Sequence, residues 1–257
     1  MALLDPAAAT LTMTLVYWGA ERAGKKENVV AVHRRYPPER AHPVGALSAP
    51  PDQGIQFVAD LGRVGPWSVH LRVVAAPGDE RGRRAALKDA DAVVFVADSA
   101  AGREDANAEA RVALSRLNAA RPDPLPIVFQ WNRRDRPRRL DIDALEATLN
   151  PSAAPSFSAI ARDADGTWET HVAAVRPLLA AARAALESLG LEPEAPASEL
   201  SLAVRRRRRG RGPNPSLGTT RALTDPGAEP PLVAAGRAAP PPVASAAELA
   251  AAGGCAP

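Results

Sequence analysis

The chain is poor in the residues that build disulfide frameworks, metal centres and membrane spans. Its 257 residues include one cysteine, Cys255, and four scattered histidines. A single cysteine cannot form an intrachain disulfide, and it suits a reducing compartment. The scattered histidines give no cluster with the spacing of a metal site, so no metal ligand is assigned. No apolar run approaches the roughly 18 residues of a membrane-spanning helix, so we expect no integral membrane segment.

The start of the chain also lacks the pattern of a secretory signal. Residues 1–16 contain no basic start followed by an apolar block and a small-residue cleavage site. Together with the near absence of cysteine, this leads us to expect a cytoplasmic protein.

Charge is distributed unevenly along the chain. Residues 1–199 carry 24 basic and 26 acidic residues, whereas residues 200–257 carry eight arginines and three acidic residues. The high isoelectric point, about 9.5, therefore belongs to the C-terminal part. It is no evidence that the rest of the chain binds nucleic acid.

The C-terminal part differs in composition from the rest. From residue 191 onward Pro, Ala, Gly and Ser dominate and aromatic residues are missing, so little apolar surface is available to offset the entropy of ordering the chain. We predict a folded domain over residues 1–190 and a disordered tail over residues 191–257. The arginine run at residues 205–211 either binds an anionic lipid, nucleic acid or acidic protein, or is a solvated charge run.

Apolar periodicity predicts alternating strands and helices in the first 190 residues. Strands are predicted over residues 11–18, 55–61, 68–74, 92–97, 125–131 and 156–160. Helices are predicted over residues 25–35, 106–119, 142–149 and 167–189, and residues 36–54 and 75–84 are interpreted as loops. This order is typical of an α/β fold with a mostly parallel six-stranded sheet, one antiparallel edge hairpin and helices on both faces.

The first predicted strand leads into a glycine-bounded loop that ends in Gly24-Lys25. The loop fits the phosphate-binding pattern G-x-x-x-x-G-K-[ST], except that Lys26 stands at the hydroxyl position. Its backbone N–H groups can wrap a phosphate chain, and the positive end of the following helix faces the same anion. We assign phosphate binding to Gly19, Ala23, Gly24, Lys25 and Lys26, and to Gly78 after the third strand.

A second motif, Asn132-Arg133-Arg134-Asp135, follows the fifth predicted strand. The Asp135 carboxylate can accept two hydrogen bonds from the ring N–H and exocyclic amine of guanine, a pair that adenine does not offer. Asn132 would brace the phosphate loop, and Arg133 would stack on the base. Ser158 and Ala159, at the end of the sixth strand, would present a backbone N–H to the guanine carbonyl. Alternatively, Gly19 and Gly24 are ordinary turn glycines, and residues 132–135 are a solvated charge run. Binding of ATP instead of a guanine nucleotide is a further alternative.

In this order, and each after a predicted strand, these motifs resemble the MglA-type bacterial small GTPases, Ras-like switches of cell polarity and gliding motility. The segments that carry the resemblance lie at residues 15–19, 24–28, 76–79, 91–99, 126–135, 158–161 and 166–170. The resemblance implies a Ras-like P-loop NTPase fold over residues 11–189, with GTP or GDP as ligand. It also implies a regulatory protein, of roadblock or polarity type, on the switch face.

The departures from the family pattern fall on the metal and on catalysis. Lys26 replaces the Mg²⁺-ligating hydroxyl, and residues 36–54 offer no threonine for the first switch. By the same resemblance, Asp79 stands at the position of the water-orienting glutamine and Gln53 at that of an arginine finger, so no catalytic residue is assigned. Mg²⁺ demands a near-complete octahedral set of ligands, which makes Mg²⁺ binding doubtful. We expect a guanine-nucleotide-binding regulator with weak or lost hydrolysis, or alternatively a nucleotide-free pseudo-GTPase acting as a protein-interaction scaffold.

Overall fold

The structure, a computed structural model, describes residues 2–44 and 54–189. The predicted tail with its arginine run, the domain boundary at residue 190 and Gln53 lie outside these residues. The strands of the described part are β1 (Leu3–Asp5), β2 (Thr10–Gly19), β3 (Ala41–Val44), β4 (Gln56–Val64), β5 (Trp67–Ala75), β6 (Ala92–Asp98), β7 (Ile127–Asn132) and β8 (Ser156–Ser158). Its α-helices are α1 (Lys25–His33), α2 (Glu80–Lys88), α3 (Glu104–Ala119), α4 (Ile142–Leu149) and α5 (Thr167–Leu189).

All of these strands form one sheet in the order β3-β4-β5-β2-β6-β7-β8, with β1 paired to the start of β2. Strands β5, β2, β6, β7 and β8 run parallel. Strands β3 and β4 add an antiparallel edge next to β5. The α/β fold class predicted from the sequence is confirmed, and the sheet contains two short strands, β1 and β3, beyond the six predicted.

Burial along the strands shows how far helices cover the two faces of the sheet. Every residue of β6 is buried, as expected for a central parallel strand covered on both sides. Strand β5 alternates between buried and half-buried residues, the pattern of a strand with one covered face. Helices α1 and α5 pack on each other and on the sheet, and α3 packs on α4 and on β2 and β6. The parallel strands therefore end together at one edge, where the loops that follow them meet.

The interpretation of residues 36–54 as a loop without regular structure is wrong in its first part. A short 3₁₀ helix at Pro38–Arg40 precedes β3, which pairs with β4 from Ala41 opposite Ala59 to Val44 opposite Gln56. Pro43 is tolerated because β3 is the outermost strand and needs no hydrogen-bond donor on its free side.

The interpretation of residues 75–84 as a loop is also wrong at its C-terminal end. Helix α2 begins at Glu80, and the Asp79 carboxylate caps it by accepting a hydrogen bond from the Gly82 N–H at 2.7 Å. Only Leu87 of this helix is buried, so the helix carries little apolar periodicity for sequence analysis to detect.

In the described part of the chain, no helix combines the length and the apolar character needed to cross a bilayer.

A buried polar cluster joins α5 to the sheet. His171 is fully buried, with Nε2 2.8 Å from the Tyr36 hydroxyl and Nδ1 3.3 Å from the Tyr17 hydroxyl. A neutral imidazole donates from one ring nitrogen and accepts at the other, so both hydroxyls can be paired. Burial lowers the pKa of His171 from its ordinary 6.5 to about 3.

This cluster predicts a pH dependence of stability. Because the folded state holds His171 neutral, its contribution is complete above pH 6.5 and is lost as the pH falls from 6.5 towards 3. We expect the free energy of unfolding to fall by about 1.4 kcal/mol per pH unit from this group alone. Urea denaturation at several pH values should show a shallower slope for His171→Gln. His70→Gln is the control, and equal slopes for both variants and the unsubstituted chain contradict the assignment.

Candidate functional site

The phosphate loop lies between the end of β2 at Gly19 and the start of α1 at Lys25. Two of its glycines are required by close approaches of neighbouring atoms. A Cβ atom at Gly19, whose φ is +153°, would lie 2.1 Å from the Val96 carbonyl oxygen. A Cβ atom at Gly24, whose φ is +100°, would lie 2.1 Å from Asn132 Nδ2. These glycines therefore let the loop pack against β6 and β7, which a mere turn glycine would not need.

Lys25 is held inside the phosphate loop. Its side-chain Nζ donates hydrogen bonds to the carbonyl oxygens of Gly19 at 3.1 Å and Ala20 at 2.8 Å. Burial, and then the nearby charge of Arg83, lower the pKa of Lys25 to about 8. The ammonium is therefore still the main form at neutral pH, and the loop carries a buried positive charge.

Asn132 connects the phosphate loop to the segment after β8. Its Nδ2 donates to the Ala23 carbonyl oxygen at 2.8 Å, and its Oδ1 accepts from the Ala161 N–H at 2.9 Å. Both partners are buried, as is Asn132 itself. One side chain at the end of β7 thus fixes the relative position of three segments.

Asp135 lies in a cavity of about 120 Å³ beside the phosphate loop. The cavity is lined by Gly24, Glu27, Asn132, Arg133, Asp135, Arg136, Ile160, Ala161 and Arg162. Asp135 Oδ2 lies 3.4 Å from Arg162 NH1, and the arginine side chain is 65% exposed. The Asp135 side chain is 17% exposed, but its partner is largely solvated, which weakens the pair, so a ligand with two N–H donors can compete for the carboxylate. Gly24 and Asp135 therefore face one space, while Lys25 is bonded within the adjoining loop.

Comparison with known proteins identifies a curated relative. No protein-family model matches the chain. The chain is 27% identical over 189 residues to the mutual gliding-motility protein MglA of Myxococcus xanthus (strain DK1622), an alignment that covers 70% of this chain and 96% of that protein. The chain is related to the MglA-type Ras-like small GTPases. The family resemblance drawn from the sequence motifs is thereby confirmed.

Not every residue assigned from the sequence motifs lines the cavity. Strand β8 ends at Ser158, two residues earlier than predicted, and neither Ser158 nor Ala159 lines the cavity. The Ala159 N–H donates to the Trp131 carbonyl oxygen at 2.9 Å, so it has no hydrogen left for a guanine carbonyl. The cavity wall comes instead from Ile160, Ala161 and Arg162.

Arg133 lines the cavity that contains Asp135 and also contacts the phosphate loop. Its φ of +64° turns the chain sharply after β7. Its guanidinium donates to the Arg22 carbonyl oxygen and lies 3.5 Å from Asp98 Oδ2. The Arg133 guanidinium is thus held by two partners, and the residue lines one side of the cavity.

The residues at the positions that the family pattern gives to the metal and to catalysis do not fit Mg²⁺. Lys26, half-buried in the first turn of α1, presents an ammonium, which donates hydrogen bonds and has no lone pair for a cation. Gly78 precedes the cap of α2, and the Asp79 carboxylate is engaged in that cap. No group of three or more His, Cys, Asp or Glu side chains able to hold a metal ion occurs among residues 2–44 and 54–189. No step of the chemistry is therefore assigned to a metal.

The structure adds three residues to which the sequence analysis assigned no role at the site. Asn28, fully buried, donates from Nδ2 to the Gly24 carbonyl oxygen at 2.9 Å. Arg83 packs its guanidinium 5.8 Å from the Trp18 ring centroid and donates to the Pro77 carbonyl oxygen at 3.3 Å. Glu27 brings a carboxylate to the cavity wall. Of these three residues, only Asn28 could have been noticed from the sequence, as an asparagine near the start of the predicted helix.

Proposed function

We propose that the chain is a small guanine-nucleotide-binding regulatory protein of the MglA type. The observation that carries the proposal is the shared cavity of Gly24, Asn132 and Asp135. It places the carboxylate suited to guanine next to the loop suited to phosphate. The relationship to the MglA-type GTPases supports the same conclusion.

In this proposal each residue has a distinct task. Asp135 accepts hydrogen bonds from the guanine ring N–H and exocyclic amine, displacing Arg162. Arg133 stacks on the base. The loop amides and Lys25 receive the phosphates, and the first turn of α1 adds its positive end. Lys26 contributes a second positive charge where the family pattern has a hydroxyl.

We propose that GTP hydrolysis is very slow or absent. Water orientation and arginine charge stabilisation account for several orders of magnitude in GTP hydrolysis. Here the carboxylate at position 79 caps α2 and would repel a γ-phosphate if it turned towards it. The chain would then act through which nucleotide it holds, or through binding alone.

Titration of the full chain with fluorescent GDP and GTP tests the proposal. We expect saturable binding of both nucleotides, little affected by Mg²⁺, that unlabelled GTP reverses and unlabelled ATP does not. Reversal by ATP at equal concentration contradicts guanine selectivity. No binding at ligand concentrations of about 1 mM, which corresponds to about −4 kcal/mol, rejects the nucleotide proposal.

The lowered pKa of Lys25 predicts how nucleotide affinity changes with pH. The ammonium attracts phosphate and is the main form below pH 8, whereas the neutral amine dominates above it. We therefore expect the Kd for GDP to be flat near pH 7 and to rise above pH 8, by up to about tenfold per pH unit. Lys25→Arg keeps its charge and should give a flatter profile. A parallel rise in both proteins, measured by the same titration up to pH 9, contradicts the role of Lys25.

A nucleotide-free interaction scaffold is the second candidate. It is favoured by the ion pair between Asp135 and Arg162 and by the loss of the hydroxyl at position 26. In this alternative the fold is kept as a surface for a regulatory partner of roadblock or polarity type. A complete lack of GDP and GTP binding, together with a cooperative unfolding transition, would favour the scaffold.

The remaining features of the proposal concern the whole chain. We propose a Ras-like domain over residues 1–190, a basic tail over residues 191–257 that contacts an anionic partner, and a cytoplasmic location. Limited proteolysis tests the boundary, because a disordered tail is cut first. Cleavage that begins inside residues 54–189 contradicts it.

A further inference from the structure

A second and larger cavity, of about 420 Å³, lies beside the phosphate loop. Arg133 lines both this cavity and the one that contains Asp135. We name it the arginine cleft, because five arginines line it together with Asp98, Ala100, Ala101 and Pro137. The arginines are Arg22, Arg103, Arg133, Arg136 and Arg138.

The positive charge of the arginine cleft is only partly balanced. Asp98 is the one carboxylate among the lining residues, and its side chain is 2% exposed. It lies 3.4 Å from Arg103 Nε and 3.5 Å from Arg133 NH1, and it also accepts a hydrogen bond from the Ala100 N–H at 3.0 Å. Asp98 therefore orients two guanidiniums, and the lining keeps a formal excess of four positive charges.

The other three arginines have no strong partner. Arg22 lies 3.9 Å from Glu21, and both side chains are at least 75% exposed, so the pair is weak. No carboxylate of the described residues lies within ion-pair distance of Arg136 or Arg138. Like charges at such close quarters repel one another unless an anion joins them.

The walls of the arginine cleft are fixed by backbone hydrogen bonds. The Ser99 N–H donates to the Asn132 carbonyl oxygen at 2.9 Å, and the Ala101 N–H donates to the Arg138 carbonyl oxygen at 3.0 Å. The Leu140 N–H donates to the Ser99 carbonyl oxygen at 2.7 Å. The arginines therefore converge on a preformed space, which an ordinary solvated charge run does not require, and little ordering is needed when an anion enters.

We propose that the arginine cleft binds a small di- or oligophosphate anion. Guanidinium groups match phosphate oxygens with paired N–H donors, and several guanidiniums on different walls suit an anion with more than one phosphate. The cleft is open to solvent, and its volume of about 420 Å³ is in the range of small-molecule sites. Arg133 and Arg136 line both cavities, whereas Arg22, Arg103 and Arg138 line the arginine cleft and not the cavity of Asp135, so an anion can bind in the cleft whether or not guanine binds beside Asp135.

Isothermal titration with inorganic pyrophosphate tests this site. The full chain with Lys25→Ala, which weakens the phosphate loop, is compared with the same chain also carrying Arg138→Glu. The Arg138 side chain is exposed and forms no hydrogen bond or ion pair with the described part of the chain, whereas its backbone carbonyl accepts from the Ala101 N–H, so the fold should survive. We expect the Lys25→Ala chain to bind pyrophosphate and Arg138→Glu to weaken binding at least about tenfold. Arg116→Glu, the same charge reversal at an exposed site on α3, should leave the affinity within about twofold.

Three results would overturn the proposal. One is the absence of pyrophosphate binding to the Lys25→Ala chain, and another is equal weakening by Arg138→Glu and Arg116→Glu. The third is equal affinity for orthophosphate and pyrophosphate, which contradicts the ligand class. Amide NMR signals of the unsubstituted chain give a second readout, because pyrophosphate should shift Ala100 and Ala101 with a midpoint that Arg138→Glu raises.

Discussion

Replacing Asn132 with alanine is expected to lower the free energy of unfolding by about 3 kcal/mol and to abolish nucleotide binding. The substitution leaves the Ala23 carbonyl oxygen and the Ala161 N–H without partners in positions where both residues are buried. Each unsatisfied buried group costs about 1–3 kcal/mol. The phosphate loop and the cavity wall then lose the side chain that fixes them to each other. Urea denaturation and GDP titration measure the two effects.

Asn118 provides a matched control for this prediction. Like Asn132, it makes two side-chain hydrogen bonds to the backbone: it donates to the Leu125 carbonyl oxygen at 3.2 Å and accepts from the Leu125 N–H at 2.7 Å. It is only partly buried, so water can replace it, and Asn118→Ala should cost about 1 kcal/mol and leave GDP binding intact. Equal costs for the two variants, with GDP binding kept in both, contradict the bracing role of Asn132.

The parts of the fold that the sequence predicts best are those where burial alone decides the structure. Strand β6 is a continuous apolar run because both faces are covered, and α4 and α5 have the bounds that periodicity predicts. Strand β3 and helix α2 were missed because neither depends on a pattern of apolar residues within its own sequence. The strand depends on pairing with β4, and the helix depends on the Asp79 cap, so tertiary contacts and capping outweigh the Pro, Gly and Arg composition.

At the site, the residues that the sequence indicated are those whose side chains form a motif. The sequence indicated Gly24, Asn132 and Asp135 because the predicted chemistry needs those side chains at a fixed spacing, and all three line one cavity. The wall after β8 is formed by Ile160 and Ala161 rather than Ser158 and Ala159, since a backbone N–H leaves no mark on the side-chain sequence. The arginine cleft was not predicted at all. Its members come from three separate loops and converge only once β2, β6 and β7 are aligned.

Asp135→Ala is expected to raise the Kd for GDP and GTP by about two to four orders of magnitude. The carboxylate would accept two hydrogen bonds from guanine, and a bond to a charged group is worth about 1.5–3 kcal/mol. Their joint loss corresponds to about 3–6 kcal/mol in binding free energy. Stability should hardly change, because among residues 2–44 and 54–189 Asp135 forms an ion pair with the largely exposed Arg162 alone. Fluorescent-nucleotide titration and urea denaturation of the same preparation separate the two quantities.

Asp163→Ala is the control that isolates guanine recognition from local charge. Asp163 follows Arg162 directly in the chain, pairs with it at 3.3 Å and is 54% exposed, but it is not among the residues that line the cavity. Removing it changes the net charge by the same amount as Asp135→Ala, so any general electrostatic effect on the phosphates appears in both variants. Only the loss of hydrogen bonds to the base is specific to Asp135. If both substitutions change the Kd equally, the nucleotide is held by its phosphates alone, and the chain does not distinguish guanine from adenine through this carboxylate.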